Sequence, residues 1–381
     1  MNFEPDKLDV VELTRALVQV NTITSDGIEQ PVLEDLANIL RNAGFTCTLV
    51  HYDPAVPTRA NLIAELNPAD PEPCLCLGGH IDTVPFVESE WNDDPLAAVL
   101  KDGKIYGRGS ADMKGGLAAI ICAGVKMAPR LKGRNLALHV YGCEEFGLVG
   151  SLYMSRHKPE MLKNIGAVVL GEPTANRPQF GHKGTSWFEL YTKGVTAHAS
   201  MPEKGDNALT KLLPGAARLA EFQPGDEHPY LGRSTFVLSV MHSGLNTNSV
   251  PDSAVLKIDC RTVVGQDVDK LAAKVSALAG PDVEIKPVSE TRPFWTDPEH
   301  TWCLAVRRIV GEVTGTPAGP EVAAFATDAG GLREGLPNAP MTVLGPGAQG
   351  MAHKTNECIE VAELREAQDI YEKLIKDWYK I

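Results

Sequence analysis

Apolar residues recur at helical spacing along the first forty positions. Leu8, Val11, Leu17 and Val18 stand among polar neighbours, and Val32, Leu33, Leu36, Ile39 and Leu40 make a second apolar face that stops at Gly44. Two opening helices are predicted. The runs then shorten to strand length at Thr46 to Val50, Asn61 to Leu66 and Cys74 to Leu77. A helical stretch from Gly115 to Met127 follows, and Leu136 to Tyr141 and Ala167 to Leu170 are strand-like again. Strands alternating with helices predict an α/β protein built on a layered sheet.

Past Gly171 the texture changes. Trp187 to Thr192, Phe236 to Met241 and Val255 to Cys260 predict strands, and Asn207 to Phe222 and Val268 to Leu278 predict helices. This is α+β patterning and suggests a separate, smaller domain. After Pro293 the chain predicts a helix from Trp302 to Val313, a Gly- and Ala-rich loop, a strand from Met341 to Leu344, a Gly/Pro turn and a closing helix from Val361 to Trp378.

Charge narrows the function. With 36 Lys and Arg against 49 Asp and Glu the formal charge is −13, and no basic run occurs, which argues against nucleic acid or an anionic membrane as partner. Glu4, Asp6, Lys7, Asp9, Glu12 and Arg15 interrupt the N-terminal stretch, so neither a signal peptide nor a spanning helix is expected there, and the expected compartment is the cytoplasm. Eight cysteines lie scattered without a C-x-x-C pair, so neither a disulfide framework nor a thiolate metal site is expected. Cys74 and Cys76 read as buried strand thiols.

The chemistry-bearing residues fall at the ends of predicted strands. Gly78-Gly79-His80-Ile81-Asp82 follows an apolar run, which would place His80 and Asp82 on one side of an extended chain. A carboxylate beside a histidine can hold its second ring nitrogen and fix the metal-binding tautomer. Gly107-Arg108-Gly109-Ser110-Ala111-Asp112-Met113-Lys114-Gly115-Gly116 reads as a tight loop feeding a helix. Standing alone, Asp112 would be an N-cap. Gly142-Cys143-Glu144-Glu145 sets two carboxylates side by side, where they repel unless a metal or solvent accommodates them. Because adjacent side chains point apart, one could bind metal while the other handles a proton. Glu172 ends another strand run and His353 follows a Gly/Pro turn. His80, Asp112, Glu145, Glu172 and His353 thus lie where open α/β sheets place ligands. Two histidines and three carboxylates suit a pair of Zn²⁺ or other first-row divalent ions.

This ordered set resembles the dinuclear zinc aminoacylase and carboxypeptidase family along essentially the whole chain, in particular its acetylornithine deacetylase and succinyl-diaminopimelate desuccinylase branch. The resemblance implies a three-layer catalytic domain with a mixed sheet over 1–180 and 292–381, and an inserted, smaller α+β lid and dimerisation domain over 181–291. It implies that Asp112 bridges two Zn²⁺ ions, for which Co²⁺ can substitute. His80 and Glu172 would hold one ion, and Glu145 and His353 the other. Glu144 would be the general base, Asp82 would orient His80, and the Asp112–Met113 peptide would be cis. Gly194-Val195-Thr196-Ala197-His198-Ala199-Ser200 resembles the segment whose histidine reaches the partner subunit's active site in a homodimer and stabilises the oxyanion. Asn248 and Arg261 fall in segments resembling the substrate pocket, Arg261 as a fork for a carboxylate, with a surface salt bridge as the competing reading. Gly171-Glu172-Pro173-Thr174, His182-Lys183-Gly184 and Leu344-Gly345-Pro346-Gly347 look closest to acetylornithine deacetylase. The implied substrate is a small N-acyl amino acid. Desuccinylation and release of a C-terminal glutamate are alternatives, and a metal-dependent binding or scaffold protein is the reading from another class. A complete ligand set together with Glu144 speaks for the enzyme.

Overall fold

The computed structural model describes residues 3–26 and 28–381, which form two compact units. One comprises residues up to Gly181, Trp295–Ala323 and Thr327–Ile381; the other comprises His182–Phe294 and Ala324–Ala326.

The larger unit is organised by a nine-stranded sheet. Its strands run in the order Thr46–His51, Ala60–Leu66, Leu136–Tyr141, Cys74–His80, Ile165–Leu170, Met341–Val343, Gln179–His182 and Phe294–Trp295, with Glu321–Ala323 attached to Gln179–His182. The sheet is mixed. Cys74–His80 runs parallel to both Leu136–Tyr141 and Ile165–Leu170, and Met341–Val343 is parallel to the latter. The pairs toward Thr46–His51 are antiparallel. Every residue of Cys74–His80 and Leu136–Tyr141 is buried. A strand buried on both faces needs a layer on each side, which is why these runs are nearly continuously apolar, with His139 inside one of them, instead of alternating.

Helices supply that cover. Val10–Val18, Gly115–Met127, Thr301–Thr314 and Val361–Tyr379 pack together, and Glu29–Asn42 packs on the first two strands. Asp9 caps the first helix by accepting from the N–H groups of Val11 and Glu12. Gly115–Met127 is buried almost throughout, as a helix apolar all round must be.

One close approach ties this helix to the sheet edge that carries the site. A Cβ built on Gly116 would lie 1.8 Å from the carbonyl oxygen of Gly171, and one on Gly345 would lie 2.2 Å from the same atom. Only glycine lets the helix and the turn after Met341–Val343 close on the backbone that delivers Glu172. Gly116→Ala is expected to destabilise the protein by about 3 kcal/mol through forced backbone displacement. An unchanged urea midpoint for that variant would contradict this account.

The smaller unit has a four-stranded antiparallel sheet in the order Thr235–Ser243, Ser253–Thr262, Gly184–Lys193, Glu284–Thr291. Helices Ala208–Ala220 and Val268–Ala279 pack on one another, and their apolar faces share a core with the strands. The sequence pattern passes over the helix Val149–His157, the edge strand Glu284–Thr291 and several three-residue strands. The Gly- and Ala-rich loop after Thr314 holds one such strand, Glu321–Ala323, and the short helix Asp328–Leu332. All eight cysteines are free, and Cys74 and Cys76 are buried. No helix among the described residues is long and apolar enough to cross a membrane.

Candidate active site

Parallel neighbours deliver their C-terminal ends to one edge of the sheet. His80 is the last residue of Cys74–His80, Glu144 and Glu145 follow Leu136–Tyr141, and Glu172 follows Ile165–Leu170. Within this sheet, the next strand in the chain after Cys74–His80, Leu136–Tyr141, lies on one side of it and the following one, Ile165–Leu170, on the other. This is the switch point at which an open α/β sheet forms a crevice. Asp112 comes from the turn entering Gly115–Met127, where the Asp112–Met113 peptide is cis. His353 comes from the loop after Met341–Val343.

The side chains converge. His80 Nε2 lies 3.1 Å from Asp112 Oδ1 and 3.7 Å from Glu172 Oε2. His353 Nε2 lies 3.5 Å from Asp112 Oδ2 and 3.0 Å from Glu145 Oε2. Two triads result, His80–Asp112–Glu172 and Asp112–Glu145–His353, each with its ligand atoms within 4.8 Å of one another. They share Asp112, one oxygen toward each histidine. Glu144 also falls within that distance of His80 and Glu145.

Asp82 faces the Nδ1 of His80 with two groups. His80 Nδ1 lies 2.9 Å from the main-chain carbonyl of Asp82, with the carboxylate farther away at 3.6 Å. A carbonyl only accepts, so Nδ1 carries a proton, and Nε2 is the nitrogen turned toward the carboxylates of the cluster. The Asp82 carboxylate also accepts from the N–H of Glu144 at 3.0 Å, the N–H of Glu145 at 3.2 Å and the Thr24 hydroxyl at 2.7 Å. It therefore anchors the turn that carries the two glutamates. Burial opposes its charge, yet His80 and these donors hold the Asp82 carboxyl below its ordinary range.

The electrostatics call for cations. Burial, reinforced by the neighbouring carboxylates of Glu172 and Glu145, pushes Glu144 well above the usual carboxylate range. Burial likewise pushes Glu172 up to about 8. His80 keeps its proton well above the imidazole range because Glu172, Asp112 and Asp82 outweigh its desolvation. Glu172 Oε1 is buried without a hydrogen-bond partner. Four carboxylates crowded around two imidazoles, one oxygen orphaned, fit a pair of divalent ions with oxygen and nitrogen ligands.

Residues 76–377 match the family described as Peptidase family M20/M25/M40. The protein is a member of peptidase family M20. A succinyl-diaminopimelate desuccinylase of Wolbachia pipientis subsp. Culex pipiens is 29% identical to this M20 chain, over 98% of this chain and 94% of its own. An acetylornithine deacetylase of Proteus mirabilis is 28% identical, over 97% and 96%. Among solved structures, an M20 family metallo-carboxypeptidase from Sulfolobus solfataricus superposes with a TM-score of 0.83 at 21% identity, covering 98% of this chain and 100% of that one. A dinuclear metal binding M20 peptidase of Bacillus subtilis gives 0.71 at 15%, covering 97% of each. The family is metal-dependent, and the M20 protein described here is a hydrolase of amide bonds.

His198, Asn248 and Arg261 lie in the smaller unit. His198 bridges to Ser249, and the N–H of Ala199 donates to the Asn248 carbonyl at 2.9 Å, so the first two sit on paired segments. The Ser200 N–H donates to His198 Nδ1 at 3.2 Å. That nitrogen is therefore the acceptor, and Nε2 carries the proton. Arg261 is held by Asp259 through Nε at 2.8 Å and Nη2 at 3.0 Å, and its Nη1 reaches the Thr185 hydroxyl at 3.3 Å. Its fork is occupied by an internal ion pair in this structure.

Sequence reading overlooked Thr24, Asp328 and Glu357. Asp328 is fully buried and pushed up to about 7 by desolvation, close enough to Glu144 and Glu172 to raise them. Its only signal was an isolated carboxylate in the Gly- and Ala-rich loop after Thr314. Thr24 offered no signal at all.

Proposed function

We propose that this M20 enzyme is a two-metal deacylase of small N-acyl amino acids, with Asp112 shared between the ions and Glu144 as general base. The observation that carries this reading is the pair of triads meeting at Asp112 with Glu144 beside them. Zn²⁺ is the proposed metal, with Co²⁺ able to replace it. Two such ions supply, when bound, the positive charge that polarises the amide carbonyl and eases ionisation of water.

The protein's own groups do the rest. Glu144, seated by its N–H on Asp82, takes a proton from the attacking water and passes it to the departing amine. Its carboxylate lies within 4.8 Å of the ligand atoms of His80 and Glu145, beside the proposed ions and outside the two triads. His80, with Nδ1–H donating to the Asp82 carbonyl and Nε2 committed to an ion, has no lone pair left to compete as the base. His198, with its proton on Nε2, is suited to donate to the oxyanion, and in our reading it does so across a homodimer formed through the smaller unit. Arg261 and Asn248 are proposed to line the substrate pocket. For Arg261, binding a substrate carboxylate requires exchange of, or addition to, its pairing with Asp259.

The motifs around Glu172, His182 and Gly345 favour an acetylornithine-like substrate. The desuccinylase relative at 29% identity favours an N-succinyl substrate as the second reading. Amine release from N-acetylornithine, N-succinyl-diaminopimelate, other N-acyl amino acids and glutamyl dipeptides, with Zn²⁺- or Co²⁺-loaded protein, tests both. At least 10-fold higher kcat/KM on N-acetylornithine is expected. The same margin on the succinyl compound would replace the first reading with the second, and silence on every substrate would reject deacylation.

A further inference from the structure

Outside the two triads, Glu357 is a buried carboxylate with four hydrogen-bond donors, none of them the side chain of a proposed ligand. It is fully buried. Its Oε2 accepts from Arg108 Nη1 at 2.6 Å and from the Gly109 N–H at 2.9 Å. Its Oε1 accepts from the N–H groups of Ala111 at 2.8 Å and Asp112 at 3.0 Å. A carboxylate has about four lone-pair sites, and here all four are used on a single turn. The Glu357 carbonyl also accepts from the Gly107 N–H at 3.0 Å, and the strand Cys358–Glu360 pairs with Lys104–Tyr106. The chain on either side of Glu357 is therefore laced to the chain leading into Asp112. Upstream in the same loop stands His353, whose Nε2 faces Asp112 Oδ2 at 3.5 Å.

We infer that Glu357 is a positioning residue for the metal pair. By fixing the main chain from Gly109 to Asp112 it holds the shared ligand in place before any ion arrives, and it couples that ligand to the loop of His353. The inference rests on the two-metal reading above. An ordinary buried ion pair would need only Arg108. The three backbone N–H groups converging on the same carboxylate, ending at Asp112 itself, are what a scaffold for a ligand requires. They also explain how Asp112 can offer one oxygen to each triad: its backbone is already immobilised, so little ordering remains when the ions bind.

The test is a Co²⁺ titration of metal-free protein, followed by visible absorption and calorimetry, for wild type and Glu357→Gln. The isosteric amide places a donor where two N–H donors now converge, and apparent Co²⁺ affinity is expected to fall about 10- to 100-fold. Turnover of the variant should return toward wild type at saturating Co²⁺ while the metal-free variant keeps the wild-type urea midpoint, which separates loss of affinity from loss of fold. Equal affinity in a folded Glu357→Gln variant would overturn the inference while leaving the two-metal reading intact. A wild type that takes up no Co²⁺ would overturn both. Hydrogen exchange on metal-free wild type gives a reading that no variant's folding can obscure. The amides of Gly109, Ala111 and Asp112 should already be protected, and fast exchange that slows only on adding Co²⁺ would overturn the inference.

Discussion

Glu144→Gln should lose about three orders of magnitude in kcat, within the range found for removing a general acid–base group, while still binding two metal ions per chain. The amide keeps the size of the carboxylate and the main-chain seat on Asp82 Oδ1, so the turn carrying Glu145 should hold. It loses the charge that accepts a proton. The other carboxylates nearby are poor substitutes. Asp82 has both oxygens occupied by Thr24 and by the N–H groups of Glu144 and Glu145, and Glu145, Glu172 and Asp112 sit in the triads. Metal content by atomic emission beside steady-state kinetics checks the expectation, and the acid limb of the kcat/KM profile should change with the variant. If the Gln variant kept wild-type turnover, the proton carrier would have to be sought at Asp328, the remaining buried carboxyl at the site. If it lost its metal, Glu144 would be a ligand.

Much of this site was legible because of how parallel sheets are built. Strands buried on both faces are continuous apolar runs, and the residues that break them, His80, Glu144 and Glu172, are the ones presented at the C-terminal edge. What escaped has physical reasons too. The helix Val149–His157 buries Gly150, Ser151, Met154 and Ser155, mostly small or polar residues that leave no apolar stripe, and its place is set by packing against Asp328–Leu332. Asp82 was found, but its strand neighbour suggested that the carboxylate would hold the ring. Only tertiary structure shows that the turn at Glu144 also claims that carboxylate and that the Asp82 carbonyl lies nearer to the ring. Arg261 and Asp259 lie two apart on a strand, hence on one face, which favours an ion pair as readily as a ligand fork. Glu357 was invisible because its partners lie 245 to 249 positions away, and nothing local marks a carboxylate that will meet three backbone N–H groups.

Removing the ions with a chelator should abolish turnover and also make stability fall as pH rises, a dependence that the ions suppress. In the metal-free protein burial raises Glu172 from 4.5 to about 8 and lifts Glu144 well above the carboxylate range, while His80 is held above its ordinary 6.5. In each case the folded state retains a proton that the unfolded chain gives up more readily. The contribution of the glutamates is whole below about pH 4.5 and that of His80 below about 6.5. All of it fades as pH climbs through the folded values, about 8 for Glu172. Divalent ions reverse the preference, because they bind the deprotonated ligands and neutralise the carboxylates. The stability gap between metal-loaded and metal-free protein should therefore widen between pH 5.5 and pH 8, on the order of several kcal/mol for a group moved as far as Glu172. Glu29, buried and raised to about 7, contributes a slope of the same sign but belongs to neither triad. It should persist in both forms and cancel in the difference, so the gap isolates the site. Melting curves with and without Zn²⁺ across that pH range measure it. A gap that stays constant would mean that protons and metal ions do not compete for this cluster, and the two-metal assignment would lose its electrostatic basis.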